Sequence, residues 1–282
     1  MSGKNIAVGL GPQYAQPHVL MFPDQLPAFV EKFSTVFDGT SAPISNLNLA
    51  PVPADMQFTD LHTRVGAVSA QAYKDNAPPF PMGKESVGFA VVDMDKALEA
   101  AQRAGAKVLR RWMVGSNAAA MLDWPGGVRL QFYACAGEAP EIPIRDSVSN
   151  TRYYLSYESA ATFISSFLEA SDGERVSDAY YPSEEIGIAR GAFRRVQIES
   201  SLGNVNVIGI TARLWDQLVY PYTNIKTDFD VDDLDAVVEK ARQADVDVLI
   251  RPEYTDPHYR RAVLRFPGEY VIEVRQKPNL FT

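Results

Sequence analysis

Apolar and polar residues follow one recurring arrangement, which is clearest between Ser86 and Tyr133. An apolar run at Val87–Val92 predicts a strand, and Asp93 and Asp95 can cap the helix that follows it. The helix is predicted by apolar residues at helical spacing, namely Met94, Ala97, Leu98 and Ala101. Gly105 suits its end. A short strand at Lys107–Leu109 and two further strands, joined by a Pro-Gly-Gly turn, complete a strand–helix–three-strand module.

The same arrangement returns about 140 residues further along the chain, as expected of a repeat. The corresponding positions are Phe89 with Phe229, Asp93 with Asp233, Asp95 with Asp235, and Pro125-Gly126 with Pro267-Gly268. Shared caps, turns and spacing together are rare between unrelated segments, so the pattern indicates an internal duplication.

Two further segments carry the same order of elements. Near the N-terminus, a strand at His18–Phe22 precedes a helix that starts at Pro23-Asp24 and stops at Gly39, and a last strand ends near Tyr73. After residue 150, a strand leads to a helix that we expect to follow Ser159. The helices are recognised by the apolar faces Phe29, Val30, Phe33 and Phe37, and Phe163, Ile164 and Phe167. Four modules are therefore predicted, which makes the fold class α+β.

These modules resemble those of the vicinal oxygen chelate superfamily, which includes glyoxalase I, bleomycin-resistance proteins and extradiol dioxygenases. The resemblance is strongest in segments 91–109, 123–132, 230–249 and 266–274. It implies four βαβββ modules that form two glyoxalase-like, incomplete-barrel domains. We expect these domains at 1–138 and 150–282, with a linker at 139–149. The reaction is not implied, because the superfamily hosts many.

The composition of the chain excludes several classes of function. The chain has 282 residues, 46 % of them hydrophobic, and a formal net charge of −8. An acidic protein lacks the basic face that nucleic acids demand, and no apolar run is long enough to span a membrane. The N-terminal segment lacks the apolar core of a signal peptide. The single cysteine, Cys135, excludes an intrachain disulfide and every multi-cysteine metal motif. A cytoplasmic protein that binds a small molecule is predicted, and a homodimer is left open.

The resemblance also implies where a metal would be held, on the first and last strands of each module. In the first domain these positions are His18, Gln71, Ser86 and Gln131. In the second they are Arg152, Thr211, Lys226 and Glu273. The first set has no carboxylate, and the second places two cations where ligands should be. We therefore predict no metal and no other cofactor, with a divalent metal as the alternative if the alignment slips by a residue or two.

Strand alternation assigns further side chains to the same faces. In the first domain His18 is the candidate general acid or base. The candidate ligand-binding residues there are Phe22, Gln71, Tyr73, Ser86, Arg129, Gln131 and Tyr133. In the second domain Arg152, Lys226 and Glu273 form either a structural ion network or an anion site.

Three functions are compatible with these residues. The first is a metal-independent lyase, isomerase or cyclase that uses His18, with Gln71 and Gln131 orienting a carbonyl or enolate oxygen. The second is a binding protein that sequesters an aromatic, antibiotic-like compound, as resistance members of the superfamily do. The third is a metal-dependent dioxygenase or lyase whose ligands differ from those assigned above.

Overall fold

A computed structural model describes residues 8–48, 55–74, 85–134, 150–186, 188, 190–211, 225–254 and 260–276. The predicted linker at 139–149 lies outside the described residues. Within them the four predicted modules are present, each starting with a strand and a helix. None of the described helices is long and apolar enough to cross a membrane.

Modules 1 and 2 occupy the first half of the chain. The elements of module 1 are β1 (Gln16–Met21), α1 (Leu26–Val36), β2 (Thr40–Ser41), β3 (Ser45–Asn48), β4 (Asp55–Thr63) and β5 (Gly66–Tyr73). Those of module 2 are β6 (Glu85–Ala90), α2 (Met94–Arg103), β7 (Lys107–Val114), β8 (Asn117–Trp124) and β9 (Val128–Ala134). The strands β1 to β9 belong to one open sheet.

Modules 3 and 4 repeat the order of module 2, whereas module 1 has two short strands, β2 and β3, that both pair with β4. The elements of module 3 are β10 (Asn150–Ser156), α3 (Tyr157–Ser171), β11 (Glu174–Pro182), β12 (Ala192–Glu199) and β13 (Asn204–Ile210). Those of module 4 are β14 (Ile225–Val231), α4 (Leu234–Gln243), β15 (Asp247–Ile250), β16 (Arg261–Phe266) and β17 (Tyr270–Gln276). These strands form a second open sheet.

Strand pairing is the same in all modules. The first strand runs parallel to the last, as in β1 with β5 and β14 with β17, and the last three strands pair antiparallel to one another. This topology confirms the predicted α+β fold of four βαβββ modules.

Packing divides the chain into two compact units. Unit 1 contains Met1–Ala15, Ser86–Ile142 and Asn150–Ile225, and therefore modules 2 and 3. Its core joins Leu98 of α2 to Phe163 and Phe167 of α3. Unit 2 contains Gln16–Glu85, Pro143–Ser149 and Lys226–Thr282, and its core joins Phe29 and Phe33 of α1 to Val238 of α4. The domain boundaries expected from the sequence stay a prediction.

The helix ends follow their capping chemistry. Asp93 and Asp233 accept the backbone N–H of the residue three positions later, which confirms the two predicted caps. The expectation that α3 follows Ser159 is wrong, because Ser156 is the cap and accepts from the Ser159 N–H at 3.1 Å. The helix α1 starts at Leu26, after Pro23-Asp24, which lie in a turn.

Candidate functional site

Each module has one sheet face in a hydrophobic core and an opposite face, which we call the inner face. Along β1, Val19 and Met21 lie in the core of unit 2. Since side chains alternate along a strand, His18 and Leu20 point to the inner face of module 1. The same argument assigns the inner faces of the other modules from their core residues.

The inner face of module 1 surrounds a buried imidazole. His18 is 5 % exposed and lies beside Ser69 of β5 in parallel register, and Leu20 lies beside Gln71 in the next row. Tyr73 ends β5, and burial raises the pKa of its phenol. An apolar lining with a few polar groups is typical of a small-molecule site.

The strand β4 adds two further side chains to the inner face of module 1. Asp60 of β4 lies opposite Ser69, and Phe58 lies opposite Gln71. Both are half-buried. Phe22 follows the end of β1 and is 51 % exposed, so its side chain contributes little to the buried part of this face.

The inner face of module 2 carries the remaining candidates of the first domain. Ser86 of β6 is buried, and Gln131 of β9 is buried beside Gly88. Tyr133 is half-buried, and its hydroxyl donates to the Tyr14 carbonyl oxygen at 2.5 Å. Arg129 is exposed.

The predicted cavity would need residues from both units. His18 and Gln71 belong to unit 2, whereas Ser86 and Gln131 belong to unit 1. Their convergence in one cavity therefore stays a prediction.

The inner face of module 3 is filled by its own chain. Ile186 and Ile188, in the connection after β11, cluster with Phe193, Ile208 and Ile210. Beside this cluster the Arg195 guanidinium lies 3.5 Å from the centre of the Tyr181 ring, and its Nη1 lies 2.9 Å from Oε2 of Glu185. Arg152, which is 1 % exposed, lies beside Asn206 in parallel register.

The inner face of module 4 is a buried ion network. Nζ of Lys226 lies 3.0 Å from Oε2 of Glu273, and Nη1 of Arg261 lies 2.7 Å from the same oxygen. All three residues are buried. Arg275 pairs with Asp228 and, at 3.1 Å, with Asp230.

The charges of this network balance. Three cations face three carboxylates among the described residues of module 4, so the formal charges of the six side chains sum to zero. Of the two readings of Lys226 and Glu273, the geometry favours a structural ion network over an anion site.

Sequence reasoning missed Arg261 and Glu85. Arg261 lies on β16, whereas the ligand positions were sought only on first and last strands. The signal for it was its alternation with Ala262, which lies in the core. Glu85 stands at the start of the apolar strand β6, where burial raises the pKa of its carboxyl to about 7. The Tyr270 hydroxyl donates to Oε2 of Glu85 at 2.5 Å and offsets part of this effect.

The donor chemistry of module 4 does not fit a divalent metal. One of its two implied ligand positions is the ammonium of Lys226, which has no lone pair to donate, and the other is the carboxylate that this ammonium already binds. At the two corresponding positions, module 1 has the imidazole of His18 and the amide of Gln71. Within the described ranges, no group of three or more histidine, cysteine or acidic side chains could hold a metal ion.

Comparison with known proteins shows similarity at the level of structure. No protein-family model and no curated protein matches the sequence. A mutant of 4-hydroxymandelate synthase from Streptomyces coelicolor is 14 % identical with a TM-score of 0.58, over 97 % of this chain and 94 % of that one. The 2,3-dioxygenase LapB from Pseudomonas sp. KL28 is 14 % identical with a TM-score of 0.56, over 96 % and 93 %.

A third similar structure is the Mn(II)-bound glyoxalase from Novosphingobium aromaticivorans. It is 9 % identical with a TM-score of 0.53, over 97 % of this chain and 84 % of that one. At these identities the similarity establishes a shared fold and transfers no activity.

Proposed function

We propose that this chain, which shares its fold with the similar structures named above, is an enzyme of the vicinal oxygen chelate superfamily that transforms a small molecule without a divalent metal. The reaction belongs to the lyase, isomerase or cyclase type, in which protons move and no external oxidant is consumed. His18 acts as the general acid or base, because imidazole is the side chain that exchanges protons most readily near neutral pH.

The observation that carries this proposal is the contrast between two inner faces of unit 2. In module 1 the buried imidazole of His18 lies beside Ser69, and the same row continues to the single carboxylate of Asp60, which is half-buried. In module 4 the buried charges already neutralise one another. A mostly apolar ligand meets a smaller desolvation cost at the first face than at the second.

The amide of Gln71 has the chemistry to complete this site. It lies on β5, beside Leu20 and one row from His18. A side-chain amide can donate to a carbonyl oxygen and to the enolate oxygen that forms when a proton leaves the adjacent carbon. We propose that Gln71 holds the oxygen while His18 moves the proton.

The test uses tag-free protein dialysed against a chelator. Its metal content is measured, and the protein is mixed with a panel of small carbonyl and phenolic compounds whose conversion is followed by NMR. We expect turnover without metal, and a loss of about 10²-fold or more in His18→Ala. His62→Ala is the matched control, because His62 is exposed on β4.

Two outcomes would contradict the proposal. Saturable binding with no conversion would show a sequestering protein, in which His18→Ala weakens affinity by about 1 kcal/mol for one lost hydrogen bond. Turnover that appears only after Fe(II) or Mn(II) is restored would show a metal-dependent dioxygenase or lyase.

A further inference from the structure

We propose that the carboxylate of Asp60 selects substrates that carry an ammonium group, so that the ligand of module 1 is a small carbonyl compound with a protonated amine. This inference rests on the function proposed above, because it concerns the same inner face, and it adds the chemical class of the substrate. The residues that carry it all belong to unit 2.

Asp60 lies in the same row of side chains as the proposed acid or base. Ser69 of β5 lies between the two, opposite Asp60 on β4 and beside His18 on β1. Leu61, the next residue on β4, lies in the core of unit 2, so Asp60 points to the inner face. His18 and Ser69 are buried, whereas Asp60 is half-buried. Neighbouring strands are about 4.8 Å apart, so a ligand that spans about 10 Å reaches both ends of this row.

The carboxylate of Asp60 has no cationic partner in the part of the chain that the structure describes. Module 4, in the same unit, differs, because Glu273, Asp228 and Asp230 of its inner face each pair with a lysine or an arginine. A half-buried carboxylate has lost part of its hydration, and a bound cation compensates for that loss. The inner face of module 1 therefore has an acidic position that a positively charged ligand group can complete.

Two neighbours of Asp60 suit the rest of such a ligand. Phe58 lies two positions away on the same face of β4, which is about 7 Å along the strand, and aromatic rings attract ammonium groups. Gln71 lies opposite Phe58 and is therefore a diagonal neighbour of Asp60, at about 7–8 Å. This gap suits an ammonium nitrogen and a carbonyl oxygen that are separated by roughly one or two carbon atoms. The ammonium group then binds Asp60 while Gln71 holds the carbonyl oxygen.

The experiment compares three phenyl ketones that differ in one group. Phenacylamine carries an amine, phenacyl alcohol a hydroxyl and benzoylformate a carboxylate, and their binding is measured by calorimetry at about pH 6, where the amine is protonated. We expect phenacylamine to bind at micromolar to millimolar concentration. Phenacyl alcohol should bind about tenfold more weakly, because a charge-assisted hydrogen bond is stronger than a neutral one. Benzoylformate should bind least, since its carboxylate meets the like charge of Asp60.

Asp60→Asn should bring the affinity for phenacylamine within about twofold of that for phenacyl alcohol. The matched control is Asp55→Asn, which removes the same charge from the opposite face of the same strand and should keep the preference. Asp55 is exposed, and its Oδ1 accepts from Nδ2 of Asn48 at 2.9 Å. Circular dichroism checks that both variants fold. If one does not, the order of the three probes on the natural protein decides.

Equal affinities for phenacylamine and phenacyl alcohol would overturn the inference. A preference that survives in Asp60→Asn, or that is lost in Asp55→Asn, would overturn it as well. So would the absence of saturable phenacylamine binding up to about 10 mM, which lies beyond the usual affinity of small-ligand sites.

The proposed function fails on different results. His18→Ala should keep the order of the three probes, because His18 moves the proton and does not bind the ammonium group. Conversion of neutral carbonyl compounds with no preference for amines would support the catalytic role of His18 and overturn the role of Asp60. Preferential binding of phenacylamine, with no conversion of any compound, would support the role of Asp60 and contradict the proposed function.

Discussion

The carboxyl group of Glu85 links the stability of unit 2 to pH. Burial raises its pKa to about 7, from the 4.5 that is usual for a glutamate side chain. The folded protein therefore binds more protons than the unfolded chain between these two values, and stability falls as pH rises from 4.5 to about 7. The loss amounts to about 3 kcal/mol and does not grow above the folded pKa.

Glu85→Gln tests this linkage. Glutamine keeps the shape and cannot ionise, so the variant should lose most of the pH dependence in this range and should be more stable than the natural protein at pH 8. Urea unfolding at pH 5 and pH 8 measures both effects. An unchanged dependence on pH in the variant would contradict the burial of an ionisable group at this position.

Glu273 is the shared anion of two buried cations, and its charge should matter for folding. Glu273→Gln leaves Lys226 and Arg261 without the carboxylate that both now contact. Breaking a buried ion pair from one side costs about 3–5 kcal/mol. Urea unfolding gives the value, with Asp247→Asn as the control, because Asp247 forms an exposed pair with Arg265. Similar stabilities of the two variants would show that the network is well hydrated.

At the scale of elements, the start of α3 depends on one hydroxyl. Ser156 accepts the N–H of Ser159, so Ser156→Ala should lower the free energy of unfolding by about 1 kcal/mol. Ser159→Ala is the matched control, since Ser159 lies inside the first turn and alanine favours helices. Thermal and urea unfolding compare the two. A greater loss in Ser159→Ala would place the helix start where the sequence had suggested.

The elements themselves could largely be predicted from the sequence. Asp93 and Asp233 cap their helices because each precedes an apolar helical pattern directly. Ser156 was missed because Tyr157, which follows it, extends the strand-like run of aromatic residues. The strand β7 was predicted too short because a bulge between Val108 and Arg110 breaks its alternation.

At the scale of the whole molecule, each core combines helices from different halves of the chain. Phe167 of α3 has ring-centre distances of 5.9 Å to Trp124 and 6.2 Å to Phe89, both in module 2. Phe167→Ala should therefore reduce the hydrogen-exchange protection of α2 more than that of α4, in addition to a global loss of about 3–5 kcal/mol. Leu234→Ala in α4 is the matched control and should act in the reverse sense. Equal effects on both helices would contradict the division into two units.

The candidate sites were predictable only in part. Alternation assigned His18, Gln71, Lys226 and Glu273 to inner faces, because one strand suffices for that inference. Alternation along one strand could not predict that Arg261 is a second partner of Glu273, because ion pairing depends on the neighbouring strand and on its register. The packing of α2 against α3 was also beyond reach, because a helix pattern shows which face is buried and not which helix covers it.

The composition of the two cores also sets the order in which they can form during synthesis on the ribosome. When module 2 has left the exit tunnel, the apolar faces of α1 and α2 both await partners that have not been translated. Module 3 then completes unit 1, and only module 4, the last segment made, completes unit 2. A chain that ends near residue 225 and has been released from the ribosome should hold one finished core and one open one. Such an intermediate is a natural client for chaperones that recognise exposed phenylalanine, and a chain cut between its halves should regain its fold only by complementation of the two fragments.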